Sequence, residues 1–235
     1  MPEGQRFRPP PWYFREYSPV GVELGTPQAV ADYDRNQGTS AERDDELLDR
    51  LGVTNGTVLV DLACGTGAFV VEAARRGAEA HGVDVSREML RFARSRAHDE
   101  GVSARWHHAG FLDHRHQGSA ADVVTTRSAL HQLPDMWKQH ALRNAAGMLR
   151  RGGTFYLWDA MFSFDPADAD QELQRWVDAA AGGHGFTPQD FETHIREEFS
   201  TYTWIIEGLL HRAGLEVLSA SFPAPTHGEF ICRKT

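Results

Sequence analysis

The stretch VLVDLACGTG, residues 58–67, joins a short apolar run to a glycine-rich turn, and it is the segment that most strongly predicts the fold. Its aliphatic, β-branched first half is typical of a buried strand. Gly65 and Gly67 allow the main chain to turn tightly, and they let a ligand approach backbone that side chains would otherwise block. The pattern at 67–77 predicts a helix that ends in glycine. We therefore expect a ligand at the point where this strand leads into its helix.

Strand and helix patterns alternate on both sides of this segment. Further strands are predicted at residues 79–85, 104–111, 121–129 and 154–162. Ser86 is placed to cap one of the intervening helices, and Pro134 to open another. The alternation implies right-handed crossovers, hence an α/β fold with a Rossmann-like, doubly wound and mostly parallel sheet. Two last strand patterns, 215–222 and 227–234, predict an antiparallel hairpin at one edge of that sheet.

The organisation outside this core is also suggested by the sequence. Residues 1–30 are rich in proline and carry the aromatic residues Trp12, Tyr13, Phe14 and Tyr17, which predicts an arm. This arm is interpreted either as a partly disordered terminus or as a lid over a ligand. Residues 31–235 are expected to form one domain. Helical patterns at 165–182 and 188–211 follow the fifth strand, so residues 163–205 are predicted to be a helical insert that determines which small molecule is bound.

Composition limits the classes of partner. Lys and Arg number 24 against 33 Asp and Glu, a formal charge of −9 that disfavours nucleic acid. No apolar run is long enough to cross a bilayer, and no export signal is visible, so we expect a cytoplasmic protein without a membrane partner. The 12 histidines and two cysteines show no metal-ligand spacing, so no metal site is predicted. A monomer or a homodimer is expected.

The residues around the glycine turn discriminate between cofactors. A dinucleotide site needs a third small residue after the turn, and the chain has Val70 there. Asp61 would be an awkward neighbour for a pyrophosphate, whereas the ammonium group of S-adenosylmethionine tolerates it. Asp84 ends the second predicted strand, where an acid can accept both ribose hydroxyls. The pattern favours S-adenosylmethionine, and an NAD-dependent oxidoreductase is the less favoured alternative.

These motifs resemble those of class I S-adenosylmethionine-dependent methyltransferases, in particular small bacterial enzymes that act on small molecules. The resemblance rests on DLACGTG at 61–67, GVDVSREML at 82–90, SALHQLP at 128–134 and LRRGG at 149–153. It extends over roughly residues 27–162 in the family's order. The resemblance implies a transferase that uses S-adenosyl-L-methionine, releases S-adenosyl-L-homocysteine and methylates a small molecule in biosynthesis.

The resemblance also implies which residues hold the cofactor. The glycine loop would embrace the methionine portion, Asp84 would hold the ribose, and Val85 would lie against the adenine. One departure is that many members carry an acid where this chain has Gly110; either Asp113 reaches back, or main-chain groups hold the adenine. The complete predicted set is Tyr33, Asp61, Ala63, Cys64, Gly65, Gly67, Asp84, Val85, Met89, Gly110, Phe111, Leu112, Arg127 and Ser128.

Two side chains are candidates for catalysis. Methyl transfer is an in-line displacement in which positioning contributes much of the rate, but an alcohol acceptor would also need a general base. His131 is the first candidate base, because the family's acceptor pocket opens there, and Asp159 could orient an acceptor. Transfer to O, N or C of a small metabolite is therefore expected. The alternative is a protein of the same fold that binds the cofactor in a cyclase-like or regulatory role.

Overall fold

The structure is a computed structural model that describes residues 10–16, 28, 33, 40–180 and 185–235. Its helices are α1 (Ala41–Arg50), α2 (Ala68–Arg75), α3 (Arg87–Asp99), α4 (Asp135–Met148), α5 (Ala169–Ala180), α6 (Pro188–Glu197) and α7 (Thr203–Arg212). Its strands are β1 (Val58–Leu62), β2 (Glu79–Asp84), β3 (Arg105–His108), β4 (Ala121–Arg127), β5 (Leu149–Phe162), β6 (Thr201–Tyr202), β7 (Leu215–Ala224) and β8 (His227–Lys234). Short 3-10 turns span Leu130–Gln132 and Pro166–Asp168.

The strands form one sheet in the order β3-β2-β1-β4-β5-β8-β7. Neighbouring strands from β3 to β5 are parallel, and β8 pairs antiparallel with both β5 and β7. Strand β1 lies between β2 and β4, so Asp61 is level with Gly82 on one side and Thr125 on the other. The predicted Rossmann-like α/β sheet with an antiparallel C-terminal edge hairpin is confirmed.

Successive residues of β1 point to opposite faces of the sheet, as expected for a strand buried on both sides. Val60 joins a core with residues of α4 and α7, whereas Leu59 joins a second core with residues of α1, α2 and α3. The predicted cap is present, since the Ser86 hydroxyl accepts the Met89 backbone N–H. The sheet is therefore covered by helices on both faces, and its parallel strands end along one common edge.

The helical pattern at 188–211 predicts one helix, but the structure divides it. Helix α6 ends at Glu197, the two residues of β6 pair in parallel with the end of β5, and α7 then begins at Thr203. The break has a hydrogen-bonding cause: the Phe199 N–H donates to the carbonyl of His131, and the Phe199 carbonyl accepts from the Lys138 ammonium. These backbone groups are satisfied by neighbouring elements instead of by a continuing helix.

Part of the predicted arm lies within the described residues. Tyr13 and Phe14 pack against the first core, and the rings of Trp12, Tyr13 and Phe14 surround Trp137 at the start of α4. Tyr17 and the remainder of the arm lie outside the described residues, apart from the single residue Gln28. Among the described residues, no helix has the length and apolar composition needed to span a membrane.

Candidate functional site

The two central loops at the carboxyl edge of the sheet each hold a non-glycine residue in the left-handed region. Ala63, directly after β1, has φ 58°, and Ser128, directly after β4, has φ 50°. Such conformations cost of order 1–3 kcal/mol and cluster at ligand sites. The Ser128 N–H donates to the carbonyl of Trp158 at 2.8 Å, which fixes this turn against β5. The two strained turns therefore lie side by side on adjacent strands.

The two glycines of the loop after β1 have different surroundings. Both have positive φ, 53° for Gly65 and 75° for Gly67. A Cβ on Gly67 would meet the Trp106 ring at 2.5 Å and the Ala93 side chain at 2.7 Å, so this position is needed for packing. A Cβ on Gly65 would meet nothing within 4 Å. Gly65 therefore presents bare main chain to open space, as the sequence predicted for a ligand loop.

Asp84 connects this loop to the end of β2. Its carboxylate accepts the Gly65 N–H at 2.9 Å through Oδ2 and the Ser86 N–H at 2.8 Å through Oδ1. Burial raises the pKa of Asp84, although these N–H donors oppose the shift. The Val85 carbonyl, directly after Asp84, accepts a hydrogen bond from His108 Nε2 at 3.0 Å, and the Met89 side chain is buried. The structure thus brings the predicted ribose-binding acid against the glycine loop.

Asp61 lies beneath the loop and is almost completely buried. The Thr125 hydroxyl donates to its Oδ1 at 2.6 Å. Burial raises the pKa of Asp61 to about 6, against the opposing effect of the nearby Arg127 guanidinium. Arg127 itself pairs with Asp44 at 2.6 Å and stacks over the Phe69 ring. A buried carboxyl group with an elevated pKa would gain from a ligand ammonium group placed beside it.

The loop after β3 contains a residue that the sequence reasoning missed. The Glu16 carboxylate, carried by the arm, accepts the Leu112 N–H at 3.0 Å through Oε2. A Cβ on Gly110 would lie 2.3–2.4 Å from this carboxylate. Asp113 Oδ1 accepts the Gly110 N–H at 2.6 Å, so its carboxylate folds back onto this loop; that it holds the adenine stays a prediction. The arm therefore places an acid where the loop itself has only glycine.

Several of the remaining predicted cofactor residues have side chains that are buried in the two cores. The Phe111 and Leu112 side chains are buried in the first core, and the Phe111 carbonyl accepts from Asn144 at 2.7 Å. Cys64 is buried in the second core, where burial raises the pKa of its thiol well above the usual value. Only the main chain of Cys64 is therefore available at the loop. Tyr33 is half-buried, and residues 29–32 and 34–39 on either side of it lie outside the described part of the chain.

A second group of polar side chains lies at the same edge, beyond β4 and β5. His131, in the turn after β4, makes two hydrogen bonds to the Asp159 carboxylate. Its backbone N–H donates to Oδ2 at 3.0 Å, and its ring Nδ1 pairs with Oδ1. The other ring nitrogen, Nε2, lies 3.2 Å from Glu198 Oε2, and that same oxygen is paired with His194 Nδ1. The two predicted catalytic residues therefore meet, together with two residues of the insert.

Comparisons with known proteins agree with this arrangement. Residues 59–153, from β1 to the start of β5, match the family model described as a methyltransferase domain. This segment therefore resembles a class I methyltransferase domain. The chain is 29% identical over 173 residues to 27-O-demethylrifamycin SV methyltransferase of Amycolatopsis mediterranei. The aligned segment covers 70% of this chain and 63% of that protein.

Two further comparisons show how far the likeness reaches. The ubiquinone biosynthesis O-methyltransferase of Aeromonas salmonicida is 33% identical over 114 residues, 48% of this chain and 47% of that enzyme. The chain thus spans between about half and two thirds of the length of these curated relatives. The solved structure of geranyl diphosphate methyltransferase in complex with SAM superimposes with a TM-score of 0.66 at 16% identity, covering 90% of this chain and 94% of that one.

The charges around His131 strongly influence one another's protonation. Burial opposes protonation of its ring, but the carboxylates of Asp159 and Glu198 outweigh that effect and raise the pKa of His131 to about 10. Burial would raise the pKa of Glu198, yet the two imidazoles hold it well below its usual range. Both ring nitrogens of His131 are therefore engaged by carboxylates.

Sequence reasoning did not predict the contribution of His194 and Glu198 to this group. Their spacing of four residues places them on one face of α6 and its end, which is a weak signal because such pairs are common on surfaces. Their partner His131 lies more than 60 residues earlier in the chain. The three side chains nevertheless bring ligand atoms within 4.8 Å of one another. The expectation that the chain lacks a metal site stays a prediction.

Proposed function

We propose that the chain binds S-adenosyl-L-methionine and transfers its methyl group to a hydroxyl oxygen of a small organic molecule, releasing S-adenosyl-L-homocysteine. One observation carries the proposal: the buried carboxylate of Asp84 holds the N–H of Gly65, in a loop that otherwise faces open space. In open parallel sheets, ligands bind in the crevice at the carboxyl ends of the strands. A methyl donor placed there has its sulfonium near the ends of β1 and β4.

The cofactor would lie along three loops of this edge. Its methionine ammonium would approach Asp61, where it would offset the cost of burying a carboxylate. Its ribose hydroxyls would donate to Asp84, whose oxygens already organise the loop. Its adenine would reach the loop after β3, where the unpartnered Oε1 of Glu16 can accept the exocyclic amino group. The arm that carries Glu16 would then act as the predicted lid.

Two lines of support favour oxygen as the accepting atom. The names of the two curated relatives describe O-methyltransferases. A hydroxyl group needs help in losing its proton, and the carboxylates of Asp159 and Glu198, which flank His131, would lie at the acceptor end of this edge. Aromatic rings of the insert adjoin the same group: the Trp176 ring lies 5.1 Å from the His194 ring and 4.9 Å from that of Phe191. These rings favour an apolar organic acceptor.

The first experiment measures methyl transfer directly. The purified full chain is incubated with S-adenosylmethionine labelled in its methyl group and with a panel of phenols, enols, aliphatic alcohols, amines and thiols. We expect S-adenosylhomocysteine to form together with a labelled methyl ether. Labelled amines or thioethers alone would overturn oxygen as the acceptor atom. Cofactor binding without transfer, accompanied by rearrangement of an unlabelled substrate, would instead support the cyclase-like alternative.

A further inference from the structure

The side chains that meet His131 form a set of potential metal ligands. His131 offers Nε2, His194 offers Nδ1 and Glu198 offers Oε2, all within 4.8 Å of one another. Imidazole nitrogen and carboxylate oxygen bind Zn²⁺ at about 2.0–2.2 Å, so two ligands of a tetrahedral site lie roughly 3.3 Å apart. The separation of 3.2 Å between His131 Nε2 and Glu198 Oε2 matches such an edge, whereas His194 Nδ1 is in closer ion-pair contact with the same oxygen and would move away from it to bind the ion.

Each histidine also has its second ring nitrogen fixed from behind. His131 Nδ1 is bound by the Asp159 carboxylate, and His194 Nε2 lies 2.8 Å from the Ser200 hydroxyl. Histidines that bind metals almost always have such an outer partner, because it sets the tautomer and aims the free nitrogen at the ion. Here both histidines have one, and both free nitrogens face the same carboxylate oxygen.

The main chain around these ligands is held in place. Directly after Glu198, the Phe199 N–H donates to the carbonyl of His131 at 2.8 Å. The Phe199 carbonyl accepts from Lys138, a buried cation that also pairs with Asp135 at 2.8 Å. The segment that supplies Glu198 is thus attached through both backbone polar groups of Phe199 to the elements around His131. A site that is fixed before it binds loses less free energy to ordering.

The carboxylate oxygen at the centre of the group is incompletely satisfied. Glu198 Oε2 is buried and makes no well-directed hydrogen bond with any described residue, although two imidazole nitrogens lie close to it. Buried polar atoms normally have a hydrogen-bonding partner. A cation among the three ligand atoms would satisfy this oxygen. The charge also fits, because a divalent ion would balance the carboxylates of Glu198 and Asp159 and would displace the ring proton that they stabilise on His131.

We propose that His131, His194 and Glu198 bind one divalent transition-metal ion of the Zn²⁺ type. Three protein ligands leave the fourth tetrahedral position open, as in catalytic rather than structural zinc sites. This inference rests on the proposed function: the acceptor hydroxyl would occupy the open position, where the ion would lower the pKa of that hydroxyl. Its proton would pass to solvent, and the oxygen would then form its bond to the methyl carbon as the carbon–sulfur bond breaks and its electron pair stays on sulfur.

The test measures metal binding by the full chain after removal of metals with a chelator. Zn²⁺ is titrated by calorimetry and Co²⁺ by its visible absorption, for the wild type, Glu198→Gln and His194→Ala. The matched control is Glu207→Gln, because Glu207 and His211 have the same four-residue spacing on an exposed stretch of α7 with their atoms 3.9 Å apart. We expect about one ion per chain, tetrahedral Co²⁺ absorption, and affinity at least tenfold weaker in the two site variants only.

Two results would overturn the proposal: no stoichiometric Zn²⁺ or Co²⁺ binding by the wild type, or equal binding by the site variants and the control. S-adenosylhomocysteine binding is measured on the same samples, so that a variant that fails to fold is recognised and the two proposals are judged separately. Metal binding without cofactor binding would count against the proposed function alone. Cofactor binding without metal binding would count against the metal site alone.

Discussion

The carboxylate of Glu16 accepts the backbone N–H of Leu112 at 3.0 Å, which links the arm to the loop after β3 across 96 positions of sequence. Its second oxygen, Oε1, is buried and has no partner among the described residues. The group occupies the space into which a side chain at Gly110 would project. The arm therefore provides an acceptor beside the place where we expect the adenine.

Replacing Glu16 by Gln is expected to weaken S-adenosylhomocysteine binding. The amide keeps one acceptor oxygen but loses the charge, and a hydrogen bond to a charged group contributes about 1.5–3 kcal/mol against about 1 kcal/mol for a neutral one. The dissociation constant should therefore rise by roughly threefold to thirtyfold, measured by calorimetry. Glu46→Gln, on the exposed side of α1, is the control and should bind as the wild type does.

Cofactor affinity should also depend on pH through Glu16. Burial raises the pKa of this carboxyl group to about 7, with Asp113 and Tyr13 as its charged or titratable neighbours and Arg115 beside Tyr13. An amino donor favours the ionised form, so binding should tighten as pH rises from about 6 to about 8. The same titration of Glu16→Gln should lack this change. Identical pH profiles for both proteins would remove Glu16 from the site.

The two loop glycines should respond differently to substitution by alanine. In Gly67→Ala the left-handed backbone costs about 1–2 kcal/mol, and the added Cβ also collides with Trp106. The free energy of unfolding should therefore fall by more than about 2 kcal/mol. In Gly65→Ala only the backbone cost applies, so about 1 kcal/mol of stability should be lost while cofactor affinity falls at least tenfold. Denaturant unfolding and calorimetry separate these effects. Equal stability of the two variants would contradict the packing role of Gly67.

A second histidine cluster, separate from the proposed metal ligands, lies beside β2 and β3 and consists of His81, His107, His114 and His116. His81 Nδ1 lies 3.1 Å from His107 Nε2, and its ring contacts that of His116, while His107 contacts His114. Burial lowers the pKa of both His81 and His114 to about 4, and the neighbouring histidines add to the shift. The charged residues that face the cluster are Glu79, Arg105 and Arg115.

This cluster should make the protein less stable in mild acid. The unfolded chain takes up protons near the ordinary histidine pKa of about 6.5, whereas folded His81 and His114 take them up only near 4. Stability should therefore fall as pH drops between those values, by up to about 1.4 kcal/mol per pH unit for each histidine. His114→Gln should reduce this slope and His98→Gln, on an exposed position, should not. An unchanged slope in His114→Gln would exclude His114 as the cause.

The sequence predicts the sheet well because its signals are local. Apolar runs mark the parallel strands, and Ser86 caps α3 as predicted, with Glu88 in the first turn of that helix. The proximity of the glycine loop and Asp84 could be predicted, because neighbouring parallel strands end at a common edge of the sheet. The helix boundary at Glu197 could not be predicted, because the groups that end it belong to Lys138 and His131, far away in the chain.

The parts of the site that the sequence leaves open are those built from long-range contacts. Glu16 has no motif, and nothing at its position indicates that it reaches Leu112. His194 and Glu198 read as an ordinary helical pair until the break after α6 turns them towards His131. Their functional placement depends on tertiary hydrogen bonds, which residue types and periodicity do not encode locally.

The most direct test of the account is the binding of S-adenosylhomocysteine to the wild type and to Asp84→Ala, measured by calorimetry with Asp99→Ala as a surface control. We predict saturable one-to-one binding that weakens by about 1–3 kcal/mol in Asp84→Ala, roughly fivefold to 150-fold, and is unchanged in the control. No binding by the wild type at millimolar ligand, or binding of NADH in its place, would contradict the account.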